Sequence, residues 1–275
     1  MIFNNNEIHE NEQKHDLIAD VYDTKHTEIY NFREQERLRK IISELIELTS
    51  KKNEISVLDF GAGTGNLSLK FLNFQCRVTA CDVSEKSLNV LKKKSKNHKN
   101  LITQKINGDK LPFPDNSFDI ISTYSVLHHI PDYLSAVKEM IRVCKPGGLV
   151  YIDHEANKNH WNPSQELSEW YKISNQTHFE HLLQLLKTRE LFSFSFLKTI
   201  FYKLFVNRRY EREGDIHIWA DDHILWDKIK EVFSEKNCET VKEENYLLFK
   251  LKGQKYYEKY KNNCTDTKLL ICRKL

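Results

Sequence analysis

Three of the chain's eight glycines fall within five residues, in Asp59-Phe60-Gly61-Ala62-Gly63-Thr64-Gly65, directly after a short apolar run and before a helical pattern. Glycine lets the backbone turn sharply and puts no side chain between main-chain atoms and a ligand. Such a turn at the carboxyl end of a strand suits a nucleotide-like molecule lying beside a helix N-terminus. Asp82 ends the next strand-like run, at roughly the 20-residue interval where an acidic side chain reaches a ribose in sheets of this type. A carboxylate there accepts from both ribose hydroxyls, and Asp82 or Ser84 is also placed to cap the following helix. Asn66 stands where the dinucleotide fingerprint has its third glycine, and there is no Gly-Lys-Ser/Thr phosphate loop. Both departures disfavour a dehydrogenase or a phosphate-loop enzyme.

The elements around this turn alternate in type. A helical pattern (Glu34 to Leu48) precedes strand-like Ile55 to Phe60, and helical Leu67 to Phe74 leads to strand-like Arg77 to Cys81. Helical Ser87 to Lys94 follows, then Ile102 to Ile106, Ile120 to Thr123, helical Leu134 to Val143, and Leu149 to Ile152 after the Lys145-Pro146-Gly147-Gly148 break. Strands alternating with helices predict a parallel sheet covered on both faces. From Glu155 to about Gly214 the alternation gives way to a helical, aromatic-rich stretch that reads as an inserted lid. Ile224 to Phe233 is then a helix, and Glu239 to Phe249 and Lys268 to Cys272 are strands. The expected fold is α/β, a Rossmann-like doubly wound, mostly parallel seven-stranded sheet with a helical lid inserted after the fifth strand. Its parts are an N-terminal helical segment (1–48), a cofactor-binding core (49–154), the lid and acceptor-binding region (155–214), and a C-terminal completion of the sheet (215–275).

With 275 residues, one domain carrying an insertion is the natural prior. A net charge of +3, spread along the chain, argues against a nucleic-acid partner. Six scattered cysteines without a Cys-x-x-Cys pair read as reduced thiols, and the polar N-terminus lacks the apolar segment of a secretory signal, so a cytoplasmic protein with no transmembrane segment is expected.

The sequence resembles the class I S-adenosylmethionine-dependent methyltransferases, especially the branch of ubiquinone and menaquinone biosynthesis, over roughly Tyr22 to Asp153. The resemblance rests on the glycine turn, on Asp82, on Gly108-Asp109-Lys110-Leu111-Pro112-Phe113-Pro114-Asp115-Asn116-Ser117-Phe118-Asp119, on Leu127-His128-His129-Ile130-Pro131-Asp132, and on Arg142-Val143-Cys144-Lys145-Pro146-Gly147-Gly148. It implies that Asp59, Gly61, Ala62, Gly63 and Gly65 line the methionine side of the cofactor, that Asp82 holds the ribose and that Val83 packs on the adenine. It further implies that Asp109 meets the adenine amino group with Lys110 contributing backbone, that Tyr124 and Ser125 border the methionine part, and that Tyr22 or Tyr30 closes over it.

Methyl transfer from a sulfonium is an in-line displacement that gains chiefly from positioning, and a base is needed only when the acceptor must lose a proton. His128 or His129, after the fourth strand, and His154, after the fifth, are the candidates; a turn-capping role for one of the pair is an equal reading. His154 and His160 stand at no recognisable ligand spacing, so no metal is expected. Ser193 to Arg209 is strongly aromatic and ends in basic residues. It reads first as lid packing and second as a cover for an apolar acceptor or a peripheral membrane contact. Trp219, Asp221, Asp222, His223 and Trp226 suit a polar acceptor or ordinary helix capping equally well. A small-molecule acceptor methylated on oxygen, nitrogen or carbon is the leading reading. A non-catalytic scaffold or sensor, or an RNA or protein methyltransferase, is the alternative.

Overall fold

The computed structural model describes residues 12–16, 18–49, 54–107, 110–175, 201, 205 and 215–275. Five strands, β1 (Ser56–Phe60), β2 (Arg77–Asp82), β3 (Leu101–Lys105), β4 (Phe118–Tyr124) and β5 (Cys144–Ala156), run parallel. A two-stranded hairpin, β6 (Ile218–Trp219) with β7 (Asp222–His223), stands apart from them. The last strands, β8 (Cys238–Tyr246) and β9 (Thr267–Lys274), complete a seven-stranded sheet of order β3-β2-β1-β4-β5-β9-β8, with β9 antiparallel to both its neighbours. The order reverses between β1 and β4, which opens a crevice at their carboxyl ends.

Alternate residues of each strand feed opposite cores, as the pleat requires. Leu58, Ile121, Val150 and Ile152 face α4 (Tyr133–Val143) and α6 (Trp226–Glu235), packing on Val137, Met140, Ile229 and Phe233. Val57, Ile120, Leu149 and Tyr151 face α1 (Phe32–Leu48) and α2 (Ser68–Asn73). The α1 stripe Leu38, Ile41, Ile42 and Leu45 is fully buried, as its spacing predicts, and Asn31 caps the helix by accepting from Glu34 N at 2.9 Å. That cap starts the helix two residues earlier than the hydrophobic period alone suggests. On the far side of β2, α3 (Glu85–Lys94) buries Leu88 and Leu91.

In the stretch expected to form a lid, β5 runs on to Ala156, followed by a short helix Lys158–Trp161 and α5 (Gln165–Ser174). Leu167 and Trp170 of α5 pack on Leu247, Tyr260 and Cys264, in a cluster separate from the two main cores. The aromatic segment Ser193 to Arg209 lies outside the described residues except for Phe201 and Phe205, which are exposed. Asp221 and Asp222 do not cap α6: its N-cap is Leu225, because the hairpin turn holds both carboxylates short of the helix, and Asp222 pairs with His217 Nδ1 at 2.5 Å instead. Among the described residues no helix is long and apolar enough to cross a membrane.

Candidate active site

The glycine turn is tied to β2 by Gly61 N and Ala62 N, which donate to Cys81 O at 2.9 and 3.0 Å. Its three glycines all have positive φ but differ in their surroundings. A Cβ at Gly61 would sit 2.4 Å from Val126 Cγ2, and one at Gly65 2.3 Å from Leu91 Cδ1, so both are required by packing. A Cβ at Gly63 would meet nothing within 4 Å. Gly63 faces open space, and its N–H donates to Asp82 Oδ2 at 2.8 Å. The other Asp82 oxygen accepts from Ser84 N at 2.8 Å, while Ser84 Oγ takes the helix-capping role by accepting from Ser87 N. Burial raises the Asp82 carboxyl above the ordinary aspartate range, opposed by the nearby His15 and the two backbone N–H groups.

The open space is a cavity that opens to solvent on one side. Asp59, at its floor, accepts from Ser68 Oγ at 2.5 Å and Ser122 Oγ at 3.3 Å, and burial pushes its carboxyl up to about 6. Asn66 Oδ1 accepts from Gln35 Nε2 (3.0 Å) and Lys70 Nζ (2.9 Å), which fixes the amide so that its buried Nδ2 is left without a protein partner. Burial also lowers Lys70 to about 8. The roof comes from the N-terminal segment: Tyr30 Oη lies 3.1 Å from Thr64 Oγ1, Thr64 Oγ1 donates to Asp23 Oδ1 at 2.7 Å, and Tyr22 packs edge-on against Tyr30.

Of the residues singled out in the sequence, Tyr22, Tyr30, Asp59, Gly61, Ala62, Gly63, Asp82, Val83, Tyr124, Ser125 and His129 border this cavity. Gly65 and Lys110 do not, Gly65 being turned toward α3, and Asp109 lies outside the described residues. Sequence reasoning missed His15, Asn66, Ile106 and Pro131. For Asn66 a signal was present, since it is the departure from the dinucleotide fingerprint; Pro131 stood within the Leu127–Asp132 block, and His15 and Ile106 carry none.

The fourth-strand turn is shaped by a residue that the sequence reading passed over. Glu155, only 1% exposed, accepts at one oxygen from Val126 N (2.9 Å) and Leu127 N (2.8 Å) and lies with the other 2.8 Å from His128 Nδ1. Ser125 before it has φ 59°, a left-handed conformation held by its N–H bond to Asp153 O. His128 therefore stands behind the wall and His129 in it. His154 also has positive φ, stacks on Tyr124 at 4.6 Å and lies outside the lining, its Nε2 buried without a partner. Beneath it, buried Asp153 accepts from Arg37 Nη2 (2.7 Å), Tyr246 Oη (2.9 Å) and Tyr151 Oη, and buried Glu34 accepts from Arg37 and Tyr124 Oη.

Residues 58–152 match the profile of the methyltransferase domain family. The chain is 37% identical over 140 residues to a demethylmenaquinone methyltransferase of Staphylococcus epidermidis, covering 46% of this chain and 57% of that one. It is 36% identical over 113 residues to a ubiquinone/menaquinone biosynthesis C-methyltransferase of Shewanella sediminis, covering 39% and 45%. The chain thus spans about half the length of these curated relatives. A crystal structure of an S-adenosylmethionine-dependent methyltransferase from Methanosarcina mazei shares the fold, with a TM-score of 0.53 at 19% identity over 86% of this chain and 97% of that one. Sheet order, glycine turn and profile agree: over residues 58–152 the chain matches the methyltransferase domain family, on a fold shared with solved methyltransferases.

Proposed function

We propose that the chain transfers a methyl group from S-adenosylmethionine to a small, largely apolar acceptor bearing an oxygen, nitrogen or nucleophilic carbon. The observation that carries this reading is that one cavity joins the bare backbone at Gly63 and the buried Asp82 to the His129 wall after β4. The residues present fit the cofactor. Asp82 offers acceptor oxygens to a ribose diol, Val83 and Ile106 are apolar neighbours for an adenine, and the orphaned Asn66 amide and the Asp59 carboxyl match a carboxylate and an ammonium. The bound cofactor supplies an already activated methyl group. The protein holds the two reactants in line and excludes water.

At the acceptor end, Ile29, Val126, Ile130 and Pro131 give an apolar wall, which suits the ring of a quinol or phenol better than a nucleotide or peptide. The reacting heteroatom is handled at the His128–His129 turn rather than at His154, whose ring packs against Tyr124 outside the lining. Phe201 and Phe205, exposed with rings 5.2 Å apart, support delivery of an apolar acceptor from a membrane surface. The test is incubation with S-adenosylmethionine and separate pools of reduced quinols, phenols, transfer RNA and peptides, read by formation of S-adenosylhomocysteine and one methyl's mass gain. Methylation confined to RNA or peptide, or cofactor binding without turnover on any pool, would replace this reading by one of its alternatives.

A further inference from the structure

We propose that His128, His129 and Asp215 form a site for a divalent transition-metal ion at the acceptor end of the cavity. They come from two segments far apart in sequence, the histidine turn after β4 and the stretch at 215, joined because Ile216 N and His217 N donate to His128 O at 2.9 and 3.0 Å, which lays residue 215 against the turn. One ligand atom from each lies within 4.8 Å of the other two. Asp215 Oδ1 is 3.1 Å from His129 Nδ1 and 3.7 Å from His128 Nε2. Bonds of about 2.0–2.1 Å in tetrahedral array place neighbouring ligands roughly 3.3 Å apart, and these two separations bracket that edge.

The arrangement behind the ligands has the same logic. Glu155 already accepts two backbone N–H bonds, so its contact with His128 Nδ1 is met by a proton on that nitrogen, leaving Nε2 with its lone pair toward Asp215. A carboxylate gripping the far nitrogen of a ligating imidazole is the usual outer support of a metal site. Two imidazoles and one carboxylate suit zinc and its first-row neighbours, whereas magnesium and calcium favour all-oxygen sets. Three protein ligands leave at least one position open, and His129 borders the cavity. That position would take an oxygen of the acceptor, favouring acceptors with a hydroxyl or enol; this last step rests on the methyl-transfer reading, while the metal site itself does not.

The test titrates the chelator-stripped full chain with cobalt(II) alone, read by visible absorption, and with zinc by calorimetry, with S-adenosylhomocysteine binding measured in parallel. One equivalent should bind with a tetrahedral cobalt spectrum. Asp215→Asn should weaken binding at least tenfold with S-adenosylhomocysteine still bound, and Glu155→Gln by about 10–100-fold. Should Glu155→Gln fail to fold, the double variant His128→Gln/His129→Gln takes its place and should abolish the spectrum. Absence of the cobalt band in a chain that binds S-adenosylhomocysteine, or equal cobalt affinity in Asp215→Asn and the parent, overturns the site. Metal binding without S-adenosylhomocysteine binding would leave the site standing and overturn the methyl-transfer reading.

Discussion

At the β1 and β2 end of the sheet edge the cavity wall is backbone and short side chains: Gly61, Ala62, Gly63, and an Asp82 fixed by two main-chain N–H groups. At the β4 and β5 end the wall, from Tyr124 to Pro131, is backed by long side chains holding one another, with Glu155 setting the histidine turn and Asp153 gripped by Arg37 and Tyr246 from across the fold. The first end needs only a local turn, so a few neighbouring residues specify it. The second depends on buried charges meeting over long sequence distances, which makes it costly to disturb.

The largest effect is expected in the distant network. Arg37→Met leaves Glu34 and Asp153 buried with one cation fewer, so stability should fall by about 3–5 kcal/mol in urea unfolding. A loss below 1 kcal/mol would mean that this end is not held by its charges. Within the glycine turn the contrast is smaller. Gly63→Ala and Gly65→Ala share a left-handed backbone cost of about 1–2 kcal/mol. Overlap with Leu91 should add about 1–3 kcal/mol for Gly65→Ala alone. Gly63→Ala should instead put its methyl into the ligand's space and reduce S-adenosylhomocysteine affinity about ten- to a hundredfold, read by calorimetry.

Asp82→Ala should cost about tenfold or more in the same titration through lost hydrogen bonds to the ribose. The smallest effect is on pH. Asp59 has a folded pKa of about 6, above that of an unfolded aspartate, so its contribution to stability is complete below about pH 4 and lost as pH rises through 6. In the proposed binding mode the ionised form faces the ligand's ammonium, so S-adenosylhomocysteine affinity should rise roughly tenfold from pH 5 to 7. Asp59→Asn should flatten both profiles.

The same contrast explains what the sequence discloses. Asp59, Gly61, Gly63 and Asp82 act within one strand-turn-helix-strand unit, and their types and spacing carry their chemistry. The alternation of strand and helix likewise fixes the parallel sheet, because each element buries a face with its own period. Arg37 meets Asp153 across 116 positions and Tyr246 across 209, and no local pattern marks such pairs. Glu155 looks in sequence like a polar residue after a strand, and only its burial reveals that it shapes the histidine turn. His154 was legible as a strand-end histidine, but its positive φ turns the ring onto Tyr124.

Whether this cavity takes S-adenosylmethionine is decided by calorimetric titration of the full chain with S-adenosylhomocysteine, using NAD as the control. One equivalent of S-adenosylhomocysteine should bind and be displaced by S-adenosylmethionine, with no heat from NAD. Binding of NAD, or no binding of either in a folded sample, would contradict that assignment.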